Sequence, residues 1–426
     1  MHDELGSAAA VLDASGTARE AWGAAVTARE GRAEDLTLAL RESRRDTLAT
    51  FGAYEAALPD LLVPQRAELN PPLWELGHIG WFQEFWIGRN PARHLGPRAD
   101  PDTPRRPPGR AHADALYHSS QVPHGTRWSL PLPTAQATRA DLAGQLAQTL
   151  QCLEDLPDED EALYFHRLAL LHEDMHHEAA LYMAQGLGIA IADPRWQPRA
   201  LPAPRGELAF DAGTWTLGMP HPRGFAFDNE VGAAEVEVPA LRIDAQVVRW
   251  GEFMPFVDEG GYEARRFWSE AGWAWLQARA ATEARSPRHV RRALGLGGWE
   301  CWRHGRWIPL DPCLAARHLT LHEAEAWCRW AGRRLPSEAE WERAALTRPE
   351  AFEWGEVWEW TASPFQPFVG FEPHPYRDYS APWFDGRPVL RGASFMTQPR
   401  MKHPRYRNFF QAHRNDVPAG FRSCAI

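Results

Sequence analysis

His172-Glu173-Asp174-Met175-His176-His177 sets three imidazoles and two carboxylates among six consecutive residues. The run lies within Glu159 to Leu187, whose apolar spacing predicts a long helix ended by Gly186 and Gly188. His172 and His176 stand four apart, so both project from one helix face, about 6 Å apart at Cβ. That separation suits two facial ligands on one metal ion. His177 is turned about 100° away and is the weaker candidate. The chain has eighteen histidines, so a pair at this spacing also arises by chance.

Two metal chemistries compete for the pair. The residues match HExxH, in which Glu173 would be the general base of a zinc hydrolase. The extended form of that motif needs Gly and His where Ala179 and Tyr182 stand. The other common form needs a glutamate on the next helix, where a proline-rich stretch intervenes. The second chemistry takes its third ligand from elsewhere. His78 sits in a helix crowded with Trp74, Trp81, Phe82, Phe85 and Trp86, where an imidazole without a partner would be costly to bury. Three neutral nitrogen ligands leave roughly three positions open, which suits iron(II) binding dioxygen together with a substrate. The aromatic neighbours themselves read as ordinary core.

The elements that must position these residues are helices. Leu36, Leu40, Leu48, Phe51 and Tyr54 line one face between Asp35 and about Leu58. Pro71-Pro72 makes a helix start ahead of His78, and Thr138 to Leu156 is amphipathic. With the His172 segment this makes four helices, the signature of a bundle. Residues 1–34 read as a partly frayed N-terminal extension, residues 35–192 as the bundle carrying the ligands, and residues 193–206 as a proline-rich linker. Pro97 to Arg110 is a surface loop. Residues 207–426 change texture: short strand-like runs (Glu207–Phe210, Thr214–Leu217, Val236–Val238, Val389–Arg391) alternate with turns. Two clear helices fall near Leu321–Ala331 and Ser337–Leu346. This half is expected to be α+β without a βαβ rhythm.

Composition removes several function classes. The 426 residues are 44% hydrophobic and 24% charged, an ordinary globular balance. Forty-six basic against 56 acidic residues give a net charge of −10, which disfavours nucleic acid as partner. Lys402 is the sole lysine, a skew more readily traced to a GC-rich genome than to function. Five widely spaced cysteines form no CxxC pair and imply neither a disulfide framework nor a thiolate zinc site. No stretch approaches the ~18 apolar residues of a membrane span, and no secretory signal is evident, so a cytoplasmic protein without a membrane partner is expected. No Walker loop or dinucleotide fingerprint appears.

Several motifs carry a family resemblance. The second half contains Phe227-Asp228-Asn229-Glu230, Arg334-Leu335-Pro336-Ser337-Glu338-Ala339-Glu340-Trp341-Glu342, Gly355-Glu356-Val357-Trp358-Glu359-Trp360-Thr361, Val389-Leu390-Arg391-Gly392-Ala393-Ser394-Phe395 and Gly420-Phe421-Arg422. It resembles the formylglycine-generating-enzyme domain, a C-type-lectin-like α+β fold, and the first half resembles the DinB-type four-helix bundle. In this order the two resemble the ergothioneine sulfoxide synthases and the related selenoneine synthases, from about residue 40 to 426.

The resemblance implies a non-haem iron(II) enzyme that uses dioxygen to join sulfur or selenium to the imidazole carbon of hercynine, Nα-trimethylhistidine. It places the iron ligands at His78, His172 and His176, the same three that spacing nominates. Formylglycine enzymes bind copper through two cysteines where this chain reads Ser394 to Lys402 without one, so protein-cysteine oxidation is disfavoured. Tyr406 to Asp416 matches the family's substrate-lining strand. Asn408 and Phe409 take the quaternary ammonium, which needs aromatic faces because it cannot donate hydrogen bonds. Tyr379 and Tyr376 are candidate proton donors, and Arg414, Asn415 and Asp416 are candidates for meeting donor hydroxyls; all of these also fit purely structural turn roles.

Departures from the pattern bear on the donor. The branch that uses γ-glutamylcysteine has an acidic residue at Phe410 and a glutamine at Met175. The first-histidine helix reads Trp74-Glu75-Leu76-Gly77-His78 in place of Trp-His-Leu-Ala-His. Without a carboxylate at position 410 a donor ammonium lacks its counter-charge, worth about 2–5 kcal/mol when desolvated. A selenosugar donor, and hence a selenoneine synthase, is the expectation. Alternatives are an ergothioneine sulfoxide synthase acting on cysteine or γ-glutamylcysteine, the zinc hydrolase, and a non-catalytic binding module.

Overall fold

A computed structural model describes residues 22–204, 206–279, 285–294 and 297–426. The helices of the first half are α1 (Gly23–Glu30), α2 (Ala33–Ala57), α3 (Pro72–Gln83), α4 (Ala113–Tyr117), α5 (Ala135–Glu154) and α6 (Asp160–Leu187). α3 opens on Pro72, whose missing N–H has no partner to lose at that position, and it runs into a π-turn at Glu84–Gly88. α6 carries Asp160 and Glu161 in its first turn, complementing the helix dipole, and ends on Gly188 at φ 76°. The bundle of α2, α3, α5 and α6 agrees with the apolar spacing.

Of the N-terminal stretch expected to fray, residues 1–21 lie outside the described residues, and α1 follows them as a helix. Its Arg29 makes a buried bidentate ion pair with Glu230 in the second half at 2.8 Å. Such a pairing joins positions far apart in the chain and leaves no periodicity to read. The linker is also packed: Trp196 is buried against Leu181, Phe395 and Met396.

The second half holds α7 (Trp250–Asp258), α8 (Glu270–Ala278), α9 (Leu321–Trp330) and α10 (Glu338–Thr347). The expected pair is α9 and α10, each opened by a capping box, on Thr320 and Ser337. α7 and α8 are additions. α7 contains Pro255 and three aromatics, so burial of Trp250, Phe253 and Phe256 stabilises what local sequence does not, whereas α8 is capped by Ser269 and rich in helix-favouring Ala, Glu, Leu and Gln.

Strands β1 (Glu207–Phe210), β4 (Leu241–Asp244), β8 (Arg333–Arg334) and β13 (Cys424–Ala425) form one sheet in the order β1-β4-β13-β8. A second sheet runs β11-β10-β9-β12, from β9 (Trp358–Pro364), β10 (Pro388–Arg391), β11 (Asn408–Phe409) and β12 (Ala419–Gly420). Its β12 lies parallel to β9 and its other pairs are antiparallel. A hairpin of β2 (Gly213–Met219) and β3 (Gly232–Val238) and a meander of β5 (Val290–Arg292), β6 (Trp299–Arg303) and β7 (Arg306–Pro309) complete the α+β half.

The two halves share one core, in which Trp74, Trp81, Phe165 and Leu168 join Phe227, Trp358, Tyr406 and Phe421. Around it the segment 394–402 clamps α6. Ser394 and Thr397 hydroxyls donate to Glu178 at 2.7 Å, and Arg400 donates twice to Asp174 at 2.6 and 2.8 Å. Where formylglycine enzymes were expected to hold copper, this chain holds the helix that carries His172 and His176.

Candidate metal centre and substrate cavity

α3 and α6 cross so that His78, His172 and His176 meet, with one potential ligand atom from each within 4.8 Å of the others. Each imidazole is oriented differently. His78 Nδ1–H donates to the Tyr117 carbonyl at 2.8 Å, directing Nε2 toward the pair. His176 Nδ1 is bonded to the Glu75 carboxylate. His172 is 2% exposed and lies flat against Phe82, and neither of its ring nitrogens has a hydrogen-bond partner. A buried imidazole left unpaired on both nitrogens carries a desolvation penalty that a coordinated ion would offset. The all-nitrogen donor set and that orphaned ring fit a transition-metal ion held by the three histidines.

Burial holds His78 and His172 neutral. It lowers His78 to about 3, reinforced by the neighbouring His176 and opposed in part by Glu75, and it lowers His172 well below the ordinary value. Burial raises Glu75, but attraction to His176, together with the bond to it, outweighs this and leaves its carboxyl lowered. Glu75 therefore stands as a carboxylate behind His176, fixing its tautomer and ring plane. Removing it in Glu75→Ala is expected to weaken metal binding by about 10–100-fold with helix content unchanged. Chelator competition measures this, and unaltered affinity would show that the carboxylate does not support His176.

The two departures in the α3 motif now have physical reasons. Glu75 supplies that carboxylate. Gly77 makes room for Tyr117, because a Cβ there would lie 2.3 Å from the tyrosine ring. With Tyr117 so close, its carbonyl reaches His78.

Glu173 points elsewhere. Arg44 donates to it at 2.8 and 3.1 Å in a buried pair, so the HExxH motif has no general base facing the histidines. His177 is likewise off the site, bonded to Thr50 at 3.0 Å.

Beside the ligands lies a cavity of about 320 Å³. It brings together His172, His176, Met175, Tyr376, Tyr379, Asn408, Phe409 and Phe410 of the expected residues. Tyr376 packs near His172, with ring centroids 6.1 Å apart, and burial raises its phenol far above the usual range. The Tyr379 hydroxyl donates to Tyr406 at 3.1 Å, and Tyr406 in turn donates to the Met175 sulfur at 3.5 Å. Phe409 stacks on Phe365.

Arg414, Asn415 and Asp416 lie outside the cavity lining. Arg414 pairs with Asp416 at 2.5 Å and rests over the Phe410 ring at 5.1 Å, while Asn415 accepts from Arg288 at 3.2 Å.

Glu178, Asp378 and Trp383 also line the cavity and were not singled out in the sequence, whereas Tyr406 and Trp358, which line it too, lie in segments that the resemblance named. Glu75 did carry a signal: a carboxylate three residues from His78, on the same face of an aromatic helix, needs a buried partner. Among the described residues lining this cavity none is lysine or arginine.

Comparison with known proteins gives two family matches and several relatives. Residues 39–186 match the DinB superfamily, and residues 194–356 match the sulfatase-modifying factor enzyme 1-like domain. The chain is 31% identical to a hercynine oxygenase of Mycolicibacterium smegmatis, covering 93% of this chain and 98% of that protein. It is 31% identical to a hercynine oxygenase of Mycobacterium tuberculosis, covering 91% and 98%. A formylglycine-generating enzyme of Streptomyces coelicolor is 29% identical over 37% of this chain and 54% of its own. Among the described residues no helix is long and apolar enough to cross a membrane.

Proposed function

This chain belongs to the hercynine oxygenase family, and from that premise we propose that it joins hercynine to a selenosugar, as an iron(II)-dependent selenoneine synthase. The observation that carries the donor assignment is the charge of the cavity. No cationic side chain lines it among the described residues, and Phe410 stands where a carboxylate would hold a donor ammonium. An amino-acid thiol would enter with its carboxylate unmatched, because the lining carries the carboxylates Glu178 and Asp378 and no cation, and an unmatched buried charge is costly. A sugar bearing a chalcogenolate avoids that penalty. The same lining obliges hercynine's carboxylate to rest on neutral donors, the phenols and the Asn408 amide.

His78, His172 and His176 would hold the iron, which when bound supplies redox capacity and open positions for dioxygen and the selenolate. In the net reaction the imidazole C–H and the donor Se–H are lost and one C–Se bond forms. Selenium gains one oxygen atom as the selenoxide, and the other oxygen leaves as water.

The chain's own groups place and protonate the reactants. Trp358, Tyr406 and Phe409 offer aromatic faces to the trimethylammonium group. Tyr376 Oη, held protonated by burial near His172, is the proton source. Tyr379 directs its proton to Tyr406 and so serves positioning instead.

The test is an aerobic assay of iron-loaded protein with hercynine and, separately, selenosugar, γ-glutamylcysteine or cysteine, with products read by mass spectrometry. Selenium on the imidazole with the selenosugar alone is the expected result. A sulfoxide from either thiol, without selenosugar turnover, would reassign the protein to ergothioneine synthesis.

A further inference from the structure

At the edge of the cavity one aromatic ring is fixed yet open. Trp383 is 38% exposed and lines the cavity. Its indole N–H donates to the Asp378 carbonyl at 2.9 Å. The Arg387 guanidinium lies over the ring, 4.7 Å from its centroid, and is itself held by Asp385 at 2.7 Å. A tryptophan anchored at its nitrogen and backed on one face is preorganised to receive a flat ligand on the other.

Next to it the Asp378 side chain also lines the cavity. It accepts the Ser120 hydroxyl from the bundle half, and no cation lies within ion-pair distance among the described residues. A carboxylate accepts at several lone pairs, so one hydroxyl leaves it able to take more.

Resting on the donor reading above, we propose that Trp383 and Asp378 form the subsite for the sugar ring of the donor. The C–H face of a pyranose stacks on the indole, while adjacent sugar hydroxyls donate to Asp378. Hercynine's quaternary ammonium is the other ligand that would seek such a ring. The guanidinium fixed behind Trp383 opposes the ring quadrupole that attracts a cation, whereas a neutral sugar relies on dispersion and loses little.

The test uses the full chain and does not depend on turnover. Calorimetric titration with thioglucose is expected to show binding by the wild type that weakens about tenfold in Trp383→Ala and in Asp378→Ala. Trp383→Phe recovers most of it. In steady state the selenosugar KM rises in both variants while the hercynine KM stays put.

Variants that bind thioglucose as the wild type does would overturn the subsite. So would a hercynine KM that rises in place of the donor KM, or a wild type that does not bind thioglucose. A wild type that binds thioglucose at Trp383 but turns over only amino-bearing thiols would keep the subsite and refute the donor assignment.

Discussion

His172→Ala and His176→Ala are each expected to remove bound iron and all measurable turnover while the helices remain formed. The reasoning rests on what the imidazoles do besides coordination. His172 makes no hydrogen bond, so its loss leaves no partner unsatisfied. It leaves only a void against Phe82, of a kind that costs a few kcal/mol. His176 differs, because its removal leaves the buried Glu75 carboxylate with Asn70 as its one remaining side-chain hydrogen-bond partner among the described residues. Breaking a buried pair by deleting one member costs about 3–5 kcal/mol. His176→Ala is therefore the less stable of the two, and Glu75→Gln in the same chain should restore part of the melting temperature but none of the activity. Metal analysis, circular dichroism and thermal melts separate the effects. Full activity in either single variant would sink the three-histidine centre.

Phe410→Asp is the second large effect, and it acts on donor choice. The ring lines the cavity and supports the Arg414 guanidinium. A carboxylate there would add a counter-charge for an amino-bearing thiol at a desolvated contact, worth about 2–5 kcal/mol. Arg414 at its back keeps the new group ionised. kcat/KM for γ-glutamylcysteine or cysteine is expected to rise by at least about tenfold, while that for the selenosugar falls. Competition between donors in one tube, read by mass spectrometry, measures the ratio directly. An unchanged ratio would mean that residue 410 does not select the donor.

Both predictions draw on features of different legibility. The spacing of His172 and His176 is a property of the α-helix itself, so it could be read before any fold was known. The same holds for the capped starts of α9 and α10, whose signals lie within four residues. α7 escaped because its local propensity is weak and burial in the shared core stabilises it, while α8 carries a legible start at Ser269 that was passed over. The order that α1 and the linker adopt was equally hidden, since Arg29 meets a glutamate 201 residues away and Trp196 packs on two separate segments, α6 and Phe395-Met396.

Phe410 was legible only through resemblance, since nothing in its neighbours marks it as lining a cavity. What the sequence by itself determined is the pair of imidazoles on one face, the suspicion attached to His78, and the absence of cysteines where copper would bind. These follow from residue type and from the fixed rise and rotation of a helix. The tertiary structure alone decided that Glu75 stands behind His176, that Arg44 neutralises Glu173, and that Tyr406 links Tyr379 to Met175. It also decided that Trp383 and Asp378 share the cavity with the ligands. Each of those depends on groups brought together across distant segments by the packing of α6 against α2, α3 and the second half, and no local periodicity encodes such a contact.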